Sequence, residues 1–278
     1  MSRQKFLALL ALSLAVMALA GLATAQVLNS RKVEKRAVSQ AELRRQQAED
    51  ATPVQPGVTT ERQRVHSRLY SGRQTTGKSL REQSDELARD GQGGDVNVIT
   101  SPGTPVFSPA PDGKAAPLEA AVEGSDAVIV ATVTAKQSQL TEDERYVFTD
   151  YEVAVKEVLK DNAASHISAS DALTVTRPGG KVLLGDHLIT VVDEAVKPLQ
   201  VGDEYLLFLK FIPETGTYAA VSENRSGFRL SHGRVTALTA ATAGYAKRQE
   251  GRDSNSFVAE ARAAAAAVAS RKGARANE

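Results

Sequence analysis

The chain has 278 residues, of which 42% are apolar and 24% charged, and its formal net charge is +1. This length accommodates one or two domains, and the near-zero net charge does not favour a nucleic acid as partner. The chain has no cysteine, which excludes disulfide bonds and a lipid-modified N-terminal cysteine.

The N-terminus has the order of regions found in secretory signal peptides. The basic residues Arg3 and Lys5 precede an apolar run over 6–22, and small residues at 23–25 end it. This order predicts a signal peptide over 1–25 and export to the periplasm or the extracellular space. The alternative is an uncleaved segment that anchors the chain in a membrane, because the apolar run is almost long enough to span a bilayer.

Residues 26–114 have the composition of a polar tether. Within 26–50 the large apolar side chains Val33, Val38 and Leu43 lie five positions apart, so that they wind around a helix instead of forming a stripe. Residues 51–101 are rich in small and polar side chains, and 101–113 contains four prolines. Such sequences bury too little apolar surface to offset the entropy of ordering the chain. We therefore predict that 26–114 is largely disordered, with at most a transient helix in its first part.

A folded β-rich domain is predicted over 115–238. This region holds eight of the thirteen aromatic residues, and 115–235 carries seven more acidic than basic side chains. It begins with a short amphipathic helix at 117–124, followed by segments rich in β-branched and aromatic residues. The predicted strands are 127–134, 146–159, 173–177, 182–184, 187–192, 204–212, 218–221, 227–230 and 234–238. Many short strands separated by turns indicate an antiparallel barrel or sandwich.

Four further features complete the predicted architecture. The apolar phase of strand 146–159 shifts near Lys156-Glu157, which predicts a β-bulge. The polar, acidic stretch Gln137–Arg145 and the segment 239–255 are predicted to be loops. Residues 256–272 are predicted to form an amphipathic helix that docks on the β core. Its narrow apolar stripe consists of Phe257, Ala261, Ala264, Ala265 and Val268.

Three stretches of this domain follow one another in a familiar order. They are Ser125-Asp126-Ala127-Val128-Ile129-Val130-Ala131-Thr132-Val133, a tyrosine-rich strand ending Glu157-Val158-Leu159-Lys160, and Leu199-x-Val201-Gly202-Asp203-Glu204-Tyr205-Leu206-Leu207-Phe208-Leu209. Over roughly 117–235 this order resembles the OB barrel of the netrin-module and tissue-inhibitor-of-metalloproteinases superfamily, in particular its exported bacterial relatives. The resemblance implies a mostly β chain with an antiparallel OB-like barrel, a short N-terminal helix and a C-terminal amphipathic helix.

The resemblance implies a fold and no site residues. Metalloproteinase inhibition in that superfamily depends on an N-terminal cysteine that chelates the zinc of the protease, and this chain has no cysteine. OB barrels bind many different ligands, so the fold alone does not select one.

The histidines and their acidic neighbours have no metal-ligand or catalytic spacing. No metal-binding motif includes any of the four, which are His66, His166, His187 and His232. Asp186-His187 and Asp193-Glu194 could surround a cation if two strands bring them together. Charges that protect an edge strand from aggregation explain these residues more simply.

Two short motifs and one aromatic cluster allow both a structural and a functional interpretation. Ser231-His232 lacks the Gly-x-Ser-x-Gly context of an activated serine. Pro178-Gly179-Gly180-Lys181 lacks the spacing and the Lys-Ser/Thr ending of a phosphate-binding loop, so we expect a turn. Tyr146, Phe148 and Tyr151 could stack on a sugar or a base, or could pack in the core.

These observations predict no catalytic residue, no cofactor and no metal ligand. The chain is therefore interpreted as an exported, non-catalytic binding module on the cell envelope or in the medium. Its partner is an unknown protein or an envelope glycan, not a nucleic acid, and it contacts a membrane only through an uncleaved signal segment. The alternative is a regulator or inhibitor of an exported hydrolase that uses barrel loops such as Gln137–Arg145. An enzyme assembled from scattered residues has no positive support in the sequence.

Overall fold

The computed structural model describes residues 42–43, 45–54, 60–71, 73, 77–100, 117–220, 227–239 and 245–276. The predicted signal peptide and the proline-rich part of the predicted tether lie outside the described residues. The chain divides into two units, Met1–Asp50 and Ala51–Glu278. In the first unit, residues 42–43 and 45–49 are helical, and Arg45 forms ion pairs with Glu42 and Glu49.

The second unit begins with four elements that the composition does not predict. They are β1 (Thr52–Pro53), α1 (Glu61–Tyr70), α2 (Leu80–Arg89) and β2 (Val96–Thr100). Thr60 accepts a hydrogen bond from the backbone of Gln63 at the start of α1, and Ser79 and Glu82 form a capping box on α2. Such caps satisfy backbone donors that a helix start otherwise leaves unpaired. The prediction of a disordered segment is wrong for these residues.

The remaining elements follow the predicted order closely. They are α3 (Pro117–Gly124), β3 (Ala127–Leu140), β4 (Val147–Lys160), β5 (Ala172–Pro178), β6 (Gly180–Leu184), β7 (His187–Asp193), β8 (Glu204–Ile212), β9 (Thr217–Ala220), β10 (Gly227–Ser231), β11 (Arg234–Ala237), α4 (Tyr245–Arg248) and α5 (Ser254–Ala276). The described chain is mostly β, as predicted. The segment 239–255, predicted as a loop, contains the short helix α4.

The strands form two sheets. The four-stranded sheet has the order β1-β6-β7-β2, and the seven-stranded sheet has the order β11-β10-β8-β3-β4-β5-β9 with an additional pairing of β8 with β9. Three pairs run parallel, namely β1 with β6, β2 with β7, and β5 with β9. The expectation of purely antiparallel pairing is therefore wrong for these strands. Between β3 and β4, Val130 pairs with Glu157 and Ala131 with Val155, so that Lys156 is skipped and the predicted bulge is confirmed.

Helices cover one face of the seven-stranded sheet. The predicted stripe of α5 is buried, and Phe257 meets Phe228 of β10 edge to face with ring centroids 4.7 Å apart. Leu118 and Val122 of α3 join the same apolar cluster. A second cluster lies on the other face of β3 and β8. It contains Ile129 of β3 together with apolar side chains of β4 and β5.

A third apolar cluster joins the early helices to the β core. It contains Tyr70 of α1, Leu80 of α2, Phe148 of β4, and Val182 and Ile189 of the four-stranded sheet. The segment that precedes α3 therefore supplies part of the core, and α3 is not the first element of the folded unit. Within the described ranges, no helix is long and apolar enough to cross a membrane.

Candidate binding site

A buried histidine connects helix α1 to the β core through hydrogen bonds. The His66 ring is fully buried, with Nδ1 2.8 Å from Oδ1 of Asp150 on β4 and Nε2 2.8 Å from Oγ1 of Thr217 on β9. Because a carboxylate only accepts hydrogen bonds, Nδ1 donates to Asp150, and Nε2 shares a hydrogen bond with the hydroxyl of Thr217. Both ring nitrogens are thus satisfied inside the protein.

The order carboxylate, imidazole, hydroxyl is that of a hydrolase triad, but the surroundings give these residues a structural role. Thr217 is only 4% exposed, and its Oγ1 lies 2.6 Å from the hydroxyl of Thr215 as well as 2.8 Å from His66. A nucleophile must reach a substrate carbonyl, and this oxygen lies inside the protein. The three side chains therefore position α1 against β4 and β9.

Two side chains connect this buried network to the surface. Gln139 of β3 donates from Nε2 to Oδ2 of Asp150 at 3.3 Å, and Nε of Arg62 lies 3.7 Å from the same oxygen. Arg62 also donates to Thr174 at 3.2 Å and lies 3.7 Å from Glu152. The Arg62 side chain is 40% exposed, so its guanidinium is partly open to solvent while three neighbours fix its position.

A polar pocket of about 290 Å³ lies beside these two side chains. It is bounded by β1, the first turn of α1 and the last residues of β3, and Val54 and Leu140 contribute apolar surface. Its lining residues with hydrogen-bonding side chains are Thr52, Thr60, Arg62, Gln63, Gln137, Ser138 and Gln139. The lining thus combines hydroxyls, carboxamides and one guanidinium, and none of the described lining residues is aromatic.

The walls of the pocket are held by cross-links between elements. The backbone N–H of Ser138 donates to Oγ1 of Thr52 at 2.9 Å, and Nε2 of Gln63 donates to the carbonyl of Leu140 at 3.4 Å. These contacts occupy the edge of β3 beyond the region that pairs with β8. A ligand therefore meets a preformed surface, which lowers the entropic cost of binding. Gln137 lines this pocket and is exposed.

The aromatic residues considered for ligand stacking are core residues. Tyr146, Phe148 and Tyr151 are at most 3% exposed. Tyr70 stacks on Tyr146 and Phe148, with ring centroids 6.3 and 5.6 Å away. The stacking interpretation is therefore wrong for these three residues, and their burial explains the hydrophobic pattern.

The other motifs lie apart from one another. Asp193 is buried and pairs with Arg73, and Ser231 Oγ lies 2.8 Å from Nδ1 of the neighbouring His232 in the exposed turn between β10 and β11. Gly179 and Gly180 turn the chain from β5 into β6. Among the residues with described positions, no group of three or more His, Cys, Asp or Glu could hold a metal ion.

The stretch predicted as a free loop, Gln137–Arg145, is partly strand and partly braced. Residues 137–140 belong to β3. Glu144 accepts two hydrogen bonds from Arg81 of α2, at 2.8 and 2.7 Å, and the backbone N–H of Glu142 donates to Ser67 of α1 at 2.7 Å. The Glu144 carboxylate raises the pKa of the Arg81 guanidinium. The tip of this loop is therefore fixed between two helices.

No protein-family model matches the chain. No curated protein matches it either. Sequence reasoning did not find the pocket, because Thr52, Thr60, Arg62 and Gln63 fall in the segment predicted to be a tether. The available signal was the order Thr60-Glu61-Arg62-Gln63, in which a threonine followed by a glutamine three residues later is typical of a helix start.

Proposed function

We propose that the chain is an exported, non-catalytic binding module whose polar pocket between α1 and β3 takes a segment of an envelope glycan. The observation that carries this proposal is the lining of the pocket by hydroxyl, carboxamide and guanidinium groups on a wall held by hydrogen bonds. Fixed polar groups of this kind give orientation and specificity to a small-molecule site.

The proposal assigns the β core to an OB-like barrel. It is supported by the strand pairings, in which β3 pairs with β4 and β8, β4 with β5, β5 with β9, and β9 with β8. These pairings form a circuit of five strands, the number found in the OB fold. OB folds bind oligosaccharides as well as oligonucleotides. The acidic balance of 115–235 favours the sugar.

The chemistry of the pocket favours a sugar with amide or carboxylate substituents. Gln63, Gln137 and Gln139 can each donate to and accept from hydroxyl or acetamido groups, and Arg62 can pair with a carboxylate. A volume of about 290 Å³ suits a small number of sugar rings and not a folded partner. The signal peptide predicted over 1–25 would deliver the chain to the compartment that contains such glycans.

The alternative role as a hydrolase inhibitor has less support. Its proposed contact loop, Gln137–Arg145, is held by Arg81 and Ser67, and an inhibitory loop must present its side chains to another protein. Inhibition is therefore not a second proposal. It becomes the favoured role only if the chain fails to bind the glycan in the experiment described next.

The test is co-sedimentation of the mature chain, Gln26–Glu278, with purified peptidoglycan. We expect saturable binding that Gln137→Trp weakens at least about tenfold, because an indole at this lining position fills the pocket. Gln200→Trp is the matched control, since Gln200 is also exposed and does not line the pocket. Failure of the wild-type chain to bind, or equal binding by the two variants, would overturn the proposal.

A further inference from the structure

Arg177, at the end of β5, is the largest fully buried side chain among the described residues. It is 1% exposed, and its one hydrogen bond within the described ranges runs from Nη2 to the carbonyl of Lys197 at 3.3 Å. Its Nε and Nη1 are also buried and have no hydrogen-bond partner among the described residues. Two donors of one guanidinium therefore have no acceptor in the part of the chain that the structure describes.

No carboxylate of the described chain lies within ion-pair distance of Arg177. The carboxylate that influences it most is that of Asp193, which is already used. Its Oδ2 pairs with Arg73 and lies 3.4 Å from the Tyr146 hydroxyl, and its Oδ1 accepts from the backbone of Ala195 at 2.9 Å. Both oxygens of this carboxylate are thus engaged by groups other than Arg177.

Two of the aromatic neighbours, Tyr70 and Tyr205, cannot supply the missing negative charge. Burial raises the pKa of Tyr205 to about 12 and raises the pKa of Tyr70 still further. These phenols are therefore neutral at physiological pH. Burial lowers the pKa of the Arg177 guanidinium, but an arginine side chain is not deprotonated in proteins. A buried charge without a partner is strongly unfavourable, so that buried charges in proteins are paired.

We propose that the Arg177 guanidinium holds a small monovalent anion, such as chloride, against Nε and Nη1 inside the domain. The anion balances the charge of the Arg177 guanidinium and satisfies both donors. Because only the folded chain forms this site, the anion stabilises the fold by mass action. The stability of the fold is then coupled to the halide concentration of the surrounding solution. This site is separate from the pocket and does not depend on the proposed function.

The first test compares the thermal unfolding of the mature chain in sodium chloride, sodium bromide and sodium gluconate at equal ionic strength. We expect the midpoint to rise by about 3–5 °C as halide replaces gluconate over two decades of concentration. Arg177→Met should abolish this rise. Arg262→Met is the control and should keep it, because Arg262 is exposed and pairs with Glu157 on the surface. An equal rise in both variants would overturn the proposal.

A second test uses the wild-type chain alone and does not depend on a variant that folds. Crystals grown in bromide should give an anomalous diffraction peak within hydrogen-bond distance of Nε or Nη1 of Arg177. A bromide peak at that position supports the site. A water molecule there without anomalous signal, at bromide concentrations that stabilise the protein, would overturn it.

Discussion

His66 and Asp150 are 84 positions apart in the sequence and meet through a hydrogen bond of 2.8 Å in the protein interior. The first residue lies in a polar segment with few large apolar side chains, and the second lies in the long strand β4. Their contact joins α1 to the β core, and Tyr70 adds an aromatic contact to Phe148 one helical turn later. The same helix carries Arg62 and Gln63 into the pocket, so that this hydrogen bond also positions the candidate site.

Removal of the buried imidazole should destabilise the domain strongly. His66→Ala leaves the Asp150 carboxylate buried without its closest partner, and we expect a loss of about 3 kcal/mol in the free energy of unfolding. Urea unfolding monitored by circular dichroism measures this change. His166→Ala is the control, because the His166 side chain is 78% exposed, and it should change stability by about 0.5 kcal/mol or less. Equal losses for the two variants would contradict the role assigned to His66.

Gly180 should not tolerate a side chain, whereas Gly185 should. A Cβ on Gly180, whose φ is +153°, would lie 2.3 Å from Oγ1 of Thr149 and 2.6 Å from Oγ of Ser138. We expect Gly180→Ala to cost about 3 kcal/mol through this overlap and through backbone strain. Gly185 follows the same strand with φ +61° and open space around it, so Gly185→Ala should cost about 1 kcal/mol. Chemical denaturation of both variants checks the difference, and equal costs would contradict it.

Helix α5 should depend on its aromatic anchor. Phe257 is fully buried against Phe228, and Arg252 lies over its ring at 5.5 Å. Phe257→Ala should lower the free energy of unfolding by about 3–5 kcal/mol, because it removes a large buried side chain. Arg271 lies on the same helix, and Arg271→Ala removes a surface ion pair with Glu119 of α3, so it should cost about 0.5 kcal/mol or less. A small effect of Phe257→Ala would mean that α5 is not docked as described.

The start of α5 should make stability depend on pH. Asp253 accepts a hydrogen bond from the backbone N–H of Ser256 at 2.8 Å, and this bond lowers the pKa of the Asp253 carboxyl below its ordinary value. A carboxyl with a lowered folded pKa stabilises the protein above its unfolded pKa, and this contribution is lost as the pH falls through the folded pKa. Asp253→Asn keeps the acceptor and removes the charge. Wild type should exceed this variant in stability at pH 7, and the difference should shrink as the pH falls below the unfolded pKa of aspartate, about 3.9. A difference that stays constant in urea titrations across this range would contradict the assignment.

The strands of the β core could be predicted from sequence because their burial follows a simple pattern. The bounds of β8 agree with the prediction, since Glu204–Ile212 is a nearly continuous apolar run between turn residues. The skipped Lys156 was visible as a change in apolar phase within β4. Both signals are local, and local hydrophobic patterns are what a single sequence reveals best.

The early helices and the pocket could not be found in this way. Of the four buried residues of α1, His66 and Ser67 are polar, and they are buried through hydrogen bonds that join distant residues. A count of apolar side chains therefore underestimates how firmly α1 is held. The parallel pairing of β2 with β7 joins strands nearly ninety residues apart, and no local pattern specifies such a pairing.

The most direct test of the proposed site is amide hydrogen exchange of the mature chain with and without soluble peptidoglycan fragments. Binding in the pocket should slow exchange in Gln137–Leu140 of β3 and in the first turn of α1, and leave α5 unchanged. Slower exchange in these two segments of the wild-type chain, and no slowing in the Gln137→Trp variant, would support a glycan site between α1 and β3. Unchanged exchange in both segments at saturating ligand, or protection confined to another surface, would contradict it.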